Sequence, residues 1–237
     1  MQPPSSLFIL TGAGISAESG METFRDRRGI WSRVDHNEVA TPQGFARNPA
    51  KVYDFYNERR RNLRDVYPNA AHHALARLEA GFKGRFLLVT QNVDDLHESA
   101  GSRKLVHMHG ELRSALCQGC AKRCRWGGDM DINSECPHCS LRGRMRPDIV
   151  WFGEFPYHMD EIHAALATAD LFVAIGTSGS VYPAAAFVKE ARMNGARTLE
   201  LNLEPSDLVG DFDEAVHGKA SEIVPAFVDR LLAGEAV

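Results

Sequence analysis

The chain has 237 residues, of which 44% are hydrophobic and 24% are charged, and its formal net charge is −4. This composition is that of a globular protein long enough to bury a full core, as one large domain or two modest ones. The acidic balance argues against a general nucleic-acid binder, and no apolar run reaches the roughly 18 residues that a membrane span needs. The first residues lack the basic and apolar regions of a signal peptide, so we expect a cytoplasmic protein.

The first predicted element is a buried strand over residues 7–10, which runs directly into a glycine-rich turn. Gly12, Gly14 and Ala17 match the G-x-G-x-x-G/A pattern, in which a dinucleotide phosphate approaches backbone N–H groups where a helix begins. The acidic residue that usually follows about 20 positions later is not convincingly present. The polar segment over residues 22–36 is predicted to be a long loop.

Polar cap residues mark the predicted helices. Thr41 and Asn48 each precede a proline, which suits the first helical turn, and the second of these helices is predicted to run to about Arg64. A third helix is predicted to start at Asn69, and the last helix of the chain covers residues 224–232.

Apolar runs between these helices predict further strands, at residues 85–90, 105–110, 148–153, 171–175 and 198–202. The alternation predicts an α/β fold with a Rossmann-like, mostly parallel sheet and helices on both faces. Five strand ends carry glycine or polar residues, and ligands bind such sheets beyond the carboxyl ends of the strands. These residues are Gly12, Gly14, Gln91, Asn92, Asp94, His109, Gly176, Thr177, Ser178 and Asn202.

All five cysteines lie between Cys117 and Cys139. The pairs Cys117/Cys120 and Cys136/Cys139 are separated by fifteen residues. This spacing is typical of a closed structural zinc site, because each Cys-x-x-Cys turn presents two thiolates to one tetrahedral ion. A redox or disulfide pair is the alternative. Cys124 is predicted to be a spare thiol, with the role of a substitute ligand left open.

Together these motifs resemble the sirtuin family of NAD-dependent protein deacylases over nearly the whole chain, and within it the bacterial members grouped with the mitochondrial desuccinylases. The matching segments are residues 12–20 (GAGISAESG), Phe24 and Arg25, 90–94 (TQNVD), His109 and Gly110, the cysteine quartet, 150–154 (VWFGE), 176–178 (GTS) and 202–204 (NLE).

The predicted domain organisation follows from the position of the cysteine module between two core strands, which makes it an insertion. We expect a Rossmann-like NAD-binding domain over residues 1–36, 72–112 and 146–237. A small domain would combine a helical part, residues 37–71, with a zinc-ribbon part, residues 113–145.

The resemblance implies a specific reaction. The nicotinamide–ribose bond of NAD is cleaved and the acyl group of an acyl-lysine passes to ADP-ribose, which gives nicotinamide, O-acyl-ADP-ribose and free lysine. His109 matches the catalytic histidine, a general base towards a ribose hydroxyl, and an imidazole suits this role because its unperturbed pKa is about 6.5. His107 is expected to be structural. The implied partners are acyl-lysine-bearing proteins, without membrane or nucleic acid, and we expect a monomer.

The resemblance also implies the contacts with NAD. They are Gly12, Ala13, Gly14, Ile15, Ser16, Ala17, Glu18, Ser19, Gly20, Phe24, Arg25, Trp31, Gln91, Asn92, Val93, Asp94, Gly176, Thr177, Ser178, Asn202, Leu203, Glu204 and Ala220. Asn92 and Asp94 could satisfy both ends of the nicotinamide carboxamide, although an Asn/Asp cluster can also simply form a turn.

The acyl-lysine site is predicted from two groups of residues. Val150, Phe152 and Gly153 match the family's substrate channel, whose apolar walls suit a lysine stem. Tyr56 and Arg59 lie three positions apart on a predicted helix and share one face, where a guanidinium and a hydroxyl could bind one carboxylate. By itself this pattern is more often packing plus a solvated charge. With the resemblance, it predicts removal of succinyl and malonyl groups as well as acetyl groups.

Two other functions remain open at this point. The first is an NAD-dependent protein ADP-ribosyltransferase on the same scaffold. The second is a non-enzymatic zinc module whose arginines, Arg142, Arg144 and Arg146, contact phosphate. The polar strand ends and the acidic balance favour the deacylase.

Overall fold

The computed structural model describes residues 4–21 and 34–235. Nine strands form two sheets within these residues. They are β1 (Ser6–Thr11), β2 (Arg85–Thr90), β3 (Leu105–His107), β4 (Gly110–Cys117), β5 (Arg123–Arg125), β6 (Met145–Ile149), β7 (Leu171–Ile175), β8 (Arg197–Asn202) and β9 (Glu214–His217). The larger sheet has the order β3-β2-β1-β7-β8-β9, and every neighbouring pair in it is parallel.

Helices connect and cover the strands. The α-helices are α1 (His36–Val39), α2 (Pro42–Arg47), α3 (Pro49–Asn62), α4 (Ala70–Gly81), α5 (Leu96–Ala100), α6 (Met159–Leu166), α7 (Phe187–Met193) and α8 (Ala220–Leu232). Short 3-10 helices lie at Ala13–Ser19, Leu63–Asp65, Ala184–Ala186 and Val209–Asp211. No helix in the described ranges is long and apolar enough to cross a membrane.

The hydrophobic core lies on both faces of the larger sheet. Side chains alternate along β1, so Leu7 and Ile9 pack with α4 and α8 on one face. Phe8 and Leu10 pack with α6 and α7 on the other face. This arrangement confirms the predicted α/β class with a parallel sheet covered on both sides.

The predicted helix caps are present. The side chains of Thr41 and Asn48 accept hydrogen bonds from the N–H groups of Gly44 at 3.0 Å and Lys51 at 3.1 Å. Asn69 caps α4 in the same way through the N–H of Ala71, at 2.9 Å. The helix expected to end near residue 64 closes as α3 followed by a 3-10 turn, and the last helix begins four residues before the predicted start.

The smaller sheet is antiparallel, with the order β5-β4-β6. The strand predicted over residues 148–153 is confirmed only at its first two residues, because β6 runs from Met145 to Ile149. Val150 instead donates its N–H to the carbonyl of His109, and Phe152 donates to that of Ala40, each at 2.9 Å. The strand predicted over residues 105–110 also divides, because Gly110 turns the chain with a φ of +80° into β4.

The segment after β1 is a 3-10 helix and not the regular helix start that the glycine pattern predicted. The domain boundaries given above stay predictions.

Candidate active site

The carboxyl ends of the parallel strands open into one cavity of about 660 Å³. All ten glycine and polar residues predicted at the strand ends line it, from Gly12 after β1 to Asn202 at the end of β8. The cavity also reaches α3 and the segment after β6. A single site therefore joins the edge of the larger sheet to α3 and to the end of β6.

Two glycine turns form the floor of this cavity. Gly12 and Gly14 donate their N–H groups to the carbonyls of Ile175 and Gly176, at 2.9 and 2.8 Å. A Cβ built on Gly14 would lie 2.7 Å from the Cα of Gly176, which itself has a φ of +61°. Glycine is therefore required in both turns, because their backbones pack directly against each other.

Three of the residues predicted to bind NAD do not line the cavity. Ile15 is fully buried in the core. Ser19 accepts a hydrogen bond from the side-chain amide of Asn69 at 3.0 Å, and Gly20 ends the 3-10 helix in a left-handed conformation. The matched segment, residues 12–20, includes residues on both sides of the 3-10 helix Ala13–Ser19. Only one side of this helix faces the cavity. Phe24, Arg25 and Trp31 lie outside the described residues.

An amide and a carboxyl lie side by side in the buried wall of the cavity. The Asn92 side-chain amide donates to the Ser16 hydroxyl at 3.1 Å, and this hydroxyl donates to Asp94 at 3.2 Å. Asp94 also accepts from the N–H of Leu96 at 3.2 Å. Burial raises the pKa of Asp94, against the hydrogen bonds from Leu96 and Ser16. Asn92 and Asp94 therefore both form a turn and line the cavity.

His109 faces the cavity from the turn after β3. Its Nδ1 lies 3.1 Å from the carbonyl oxygen of Gln91, so Nδ1 carries the proton and donates it. Burial lowers the pKa of His109, and the Gln91 contact offsets only part of this effect. The ring is therefore neutral near pH 7, and its Nε2 keeps a free lone pair that can accept a proton.

His107 has a different environment. Its Nδ1 lies 2.9 Å from the carbonyl oxygen of Asn92 and its Nε2 lies 2.7 Å from a carboxylate oxygen of Glu98. Burial alone would lower the pKa of His107, but the hydrogen bond and charge of Glu98 outweigh it and raise the pKa. Both ring nitrogens are engaged and the residue does not line the cavity, which fits a structural role.

Tyr56 and Arg59 reach the cavity from α3. The Tyr56 side chain is buried, and its hydroxyl accepts a hydrogen bond of 3.1 Å from the indole N–H of Trp151. Burial raises the pKa of Tyr56 to about 12, so the phenol is neutral. The Arg59 guanidinium carbon lies 6.0 Å from the centre of the Tyr56 ring. Tyr56, with a neutral hydroxyl, and the cationic Arg59 are thus neighbours that both line the cavity.

The segment after β6 also lines the cavity, through Val150, Phe152 and Gly153. Trp151 belongs both to the core and to the cavity lining. Sequence reasoning did not assign four other lining residues to the site, because an apolar side chain on a strand or loop carries no mark of ligand contact. These are Ala40, Ile149, Pro156 and Leu201.

The far end of the cavity lies at the carboxyl end of β8 and the start of α8. Asn202, Leu203, Glu204 and Ala220 line it. The Asn202 amide donates to the carbonyl of Thr177 at 2.8 Å and thereby holds the ends of β7 and β8 together.

The four predicted zinc ligands, Cys117, Cys120, Cys136 and Cys139, cluster with all their sulfur atoms within 4.8 Å of one another. The Sγ–Sγ distances are 3.7 Å for Cys117–Cys139 and 3.8 Å for Cys120–Cys136. A tetrahedral Zn²⁺ with Zn–S bonds of about 2.3 Å needs edges of about 3.8 Å, so the quartet fits one structural zinc ion. Cys124 is not a member of this cluster.

The fold and the site define an α/β protein with a nucleotide-type cavity at its strand ends and a separate tetracysteine metal site. The Sir2 family model matches residues 12–183 of the chain. A relative from Caulobacter vibrioides, named NAD-dependent protein deacylase, is 59% identical over 230 residues, which cover 96% of this chain and 97% of the relative. The chain belongs to the Sir2 family.

Solved structures agree with this assignment. A crystal structure of a Sir2 homolog–NAD complex is 38% identical with a TM-score of 0.87, covering 96% of this chain and 90% of that one. A structure of Sir2 bound to acetylated peptide is 27% identical with a TM-score of 0.81, covering 96% and 93%.

Proposed function

We propose that this chain is an NAD-dependent protein-lysine deacylase that removes succinyl and malonyl groups as well as acetyl groups. The Sir2 family and the names of its relatives support NAD-dependent deacylation. The acyl preference rests on one observation: a neutral Tyr56 hydroxyl and the Arg59 guanidinium line the same cavity as His109. A succinyl or malonyl group ends in a carboxylate, which these two groups could bind together.

The NAD end of the proposed site extends from the glycine turns to Ala220. The phosphates would lie against the glycine turn after β1, whose shape is held by the hydrogen bonds from Gly12 and Gly14 to the carbonyls of Ile175 and Gly176. Asn202 and Glu204 would take the adenosine ribose. Asn92 and Asp94 offer an amide and an acid to a carboxamide, which has donors and an acceptor of its own. NAD, when bound, supplies the ADP-ribose that receives the acyl group.

His109 is the proposed general base. Its Nδ1–H is committed to the Gln91 carbonyl, which leaves Nε2 to take a proton from a ribose hydroxyl. The lowered pKa keeps this nitrogen unprotonated at neutral pH. A His109→Ala variant should retain NAD binding and lose turnover by a factor of about 10² to 10⁴.

The acyl preference can be tested with matched acetyl-lysine and succinyl-lysine peptides, with and without NAD, by following peptide mass and nicotinamide release. Loss of the succinyl group only when NAD is present supports the proposal. Loss of the acetyl group alone would support deacylase activity but refute carboxylate binding by Tyr56 and Arg59. Nicotinamide release with both peptides unchanged would favour ADP-ribosyl transfer.

The roles of individual residues follow from variants in the same assay. Arg59→Met should raise KM for succinyl-lysine by about 10- to 100-fold, because a charge-assisted hydrogen bond contributes about 1.5–3 kcal/mol. KM for acetyl-lysine should change little. Arg61→Met is the matched control, since Arg61 lies on the same helix but pairs with Asp129 at 2.6 Å outside the cavity. Equal succinyl-lysine KM values for wild type and Arg59→Met would refute the carboxylate role.

A further inference from the structure

We infer that Trp151 is a positioning residue for acyl choice, whose indole N–H fixes the Tyr56 hydroxyl as a hydrogen-bond donor towards the carboxylate of an acidic acyl group. The inference rests on the proposed function, because it explains how Tyr56 would recognise such a carboxylate.

The hydrogen bond between the two residues has only one possible direction. An indole N–H can donate but not accept, so at 3.1 Å the Tyr56 oxygen must be the acceptor. The hydroxyl proton is then left for a different acceptor. In the part of the chain that the structure describes, Tyr56 donates to no other group. Because Tyr56 lines the cavity, a ligand there can supply the missing acceptor.

Trp151 is held in place from several directions. The Arg146 guanidinium carbon lies 3.4 Å from the centre of a Trp151 ring, and the centroids of the Phe45 and Trp151 rings are 5.2 Å apart. Glu154 accepts the backbone N–H of Trp151 at 2.8 Å. The same carboxylate binds both terminal nitrogens of Arg146, at 2.7 and 2.9 Å. The indole is only 2% exposed, so its N–H points in one fixed direction.

A fixed donor matters because a phenol can present either a proton or a lone pair to its neighbour. A lone pair turned towards a carboxylate would repel it, whereas a proton would bind it. Trp151 occupies a Tyr56 lone pair and thereby favours the attractive arrangement. An acetyl group ends in a methyl, which accepts no hydrogen bond. The effect of Trp151 should therefore appear with acidic acyl groups and be nearly absent with acetyl.

The first test is Trp151→Phe, which removes the N–H and keeps an aromatic ring. KM for succinyl-lysine should rise by about tenfold relative to KM for acetyl-lysine measured on the same variant, the equivalent of one hydrogen bond. A second variant with 3-benzothienylalanine at position 151 replaces the N–H with sulfur at nearly constant shape, and it should give the same result even if the phenylalanine variant folds poorly.

A double-mutant cycle tests whether Trp151 acts through Tyr56. Removing the indole N–H from a Tyr56→Phe protein should have no further effect on succinyl-lysine KM, because the hydroxyl it positions is already gone. Phe45→Leu is the control for packing, since it loosens the contact with the indole ring and leaves the N–H intact. A succinyl-specific loss of equal size in Phe45→Leu would overturn the inference.

The outcomes separate this inference from the proposed function. Wild-type protein that leaves succinyl-lysine intact overturns both. Wild-type protein that removes succinyl groups, together with an unchanged succinyl KM when benzothienylalanine replaces Trp151, overturns only the role of Trp151. Equal losses for succinyl-lysine and acetyl-lysine would assign Trp151 to packing alone.

Discussion

The carboxylate of Glu18 joins the beginning of the chain to its last helix through Ser221. One oxygen accepts the backbone N–H of Ser221 at 2.9 Å and the other accepts its hydroxyl at 2.6 Å. Glu18 lines the cavity, as do Lys219 and Ala220 just before Ser221. This contact therefore sets the position of the N-terminus of α8 against the glycine turn after β1.

Ser221→Ala should loosen this contact and raise KM for NAD by about two- to threefold. The effect is small because one hydrogen bond is lost at a solvent-exposed position. KM for the peptide should not change. Ser221→Thr keeps the hydroxyl and should behave as wild type, which steady-state kinetics at saturating peptide can measure. An NAD KM equal to wild type in the alanine variant would contradict the role of the contact.

Two buried histidines should make the fold sensitive to acid. Burial lowers the pKa of His72 to about 4, and the pKa of His97 lies well below its ordinary value for the same reason. The unfolded chain binds protons at these residues below about pH 6.5 while the folded chain does not, so unfolding becomes easier as the pH falls. Each histidine should contribute a slope of up to about 1.4 kcal/mol per pH unit.

Urea unfolding at pH 7, 6 and 5 can measure this slope. His72→Gln cannot take up the proton, so the free energy of unfolding of this variant should depend less on pH between about 6.5 and 4. The comparison removes the contribution of zinc, because both proteins keep the cysteine quartet. Parallel pH profiles of the two proteins would show that His72 does not contribute.

The Glu98–His107 pair should act in the opposite direction and in another pH window. The pKa of His107 is raised in the folded protein, so the stability that the pair contributes is fully present below about pH 6.5 and is lost as the pH rises through the folded value. Glu98→Gln should therefore destabilise the fold more at pH 6 than at pH 9. Glu111→Gln is a suitable control, because Glu111 contributes charge near His107 without a hydrogen bond.

Since His107 also binds the Asn92 carbonyl, the Glu98→Gln variant should lower kcat together with stability. Thermal unfolding at the two pH values, with turnover at pH 7, provides the test. A pH-independent difference in stability would mean that the pair is not an ion pair.

The zinc quartet predicts a pattern of thiol reactivity. The purified protein should contain one zinc ion per chain and one thiol that reacts freely, that of Cys124, and all five thiols should react after chelation in denaturant. Cys124→Ser should retain zinc and lose the reactive thiol. Cys136→Ser should unfold the smaller sheet, because structural zinc contributes about 10–16 kcal/mol, as much as the whole stability of a typical domain.

Much of the fold could be predicted because the buried strands carry their signal locally. The six residues of β1 are all buried, as are the five of β7, and such runs identify parallel strands without any tertiary information. The helix caps and the cysteine spacing are local as well. The sequence does not predict β9, because its four residues are all exposed and show no apolar pattern.

The acyl end of the cavity shows what a sequence pattern leaves undecided. Arg59 and Arg60 are neighbours in a run of three arginines, yet Arg60 is buried and donates to the carbonyl of Leu112 at 2.6 Å, whereas Arg59 lines the cavity. The direction of each side chain depends on β4, which lies about 50 residues further along the chain, so no pattern within α3 distinguishes them. Trp151 depends in the same way on Arg146 and on Tyr56.

The inserted region leaves and rejoins the rest of the chain at one point. Gly110 pairs with Ile149, and the next hydrogen bond outward joins the N–H of Val150 to the carbonyl of His109 at 2.9 Å. A segment whose two ends lie side by side can be replaced without disturbing the rest of the fold. We therefore expect metal-bearing inserts of different length to be interchangeable at this junction between related chains, with His109 kept in place beside it.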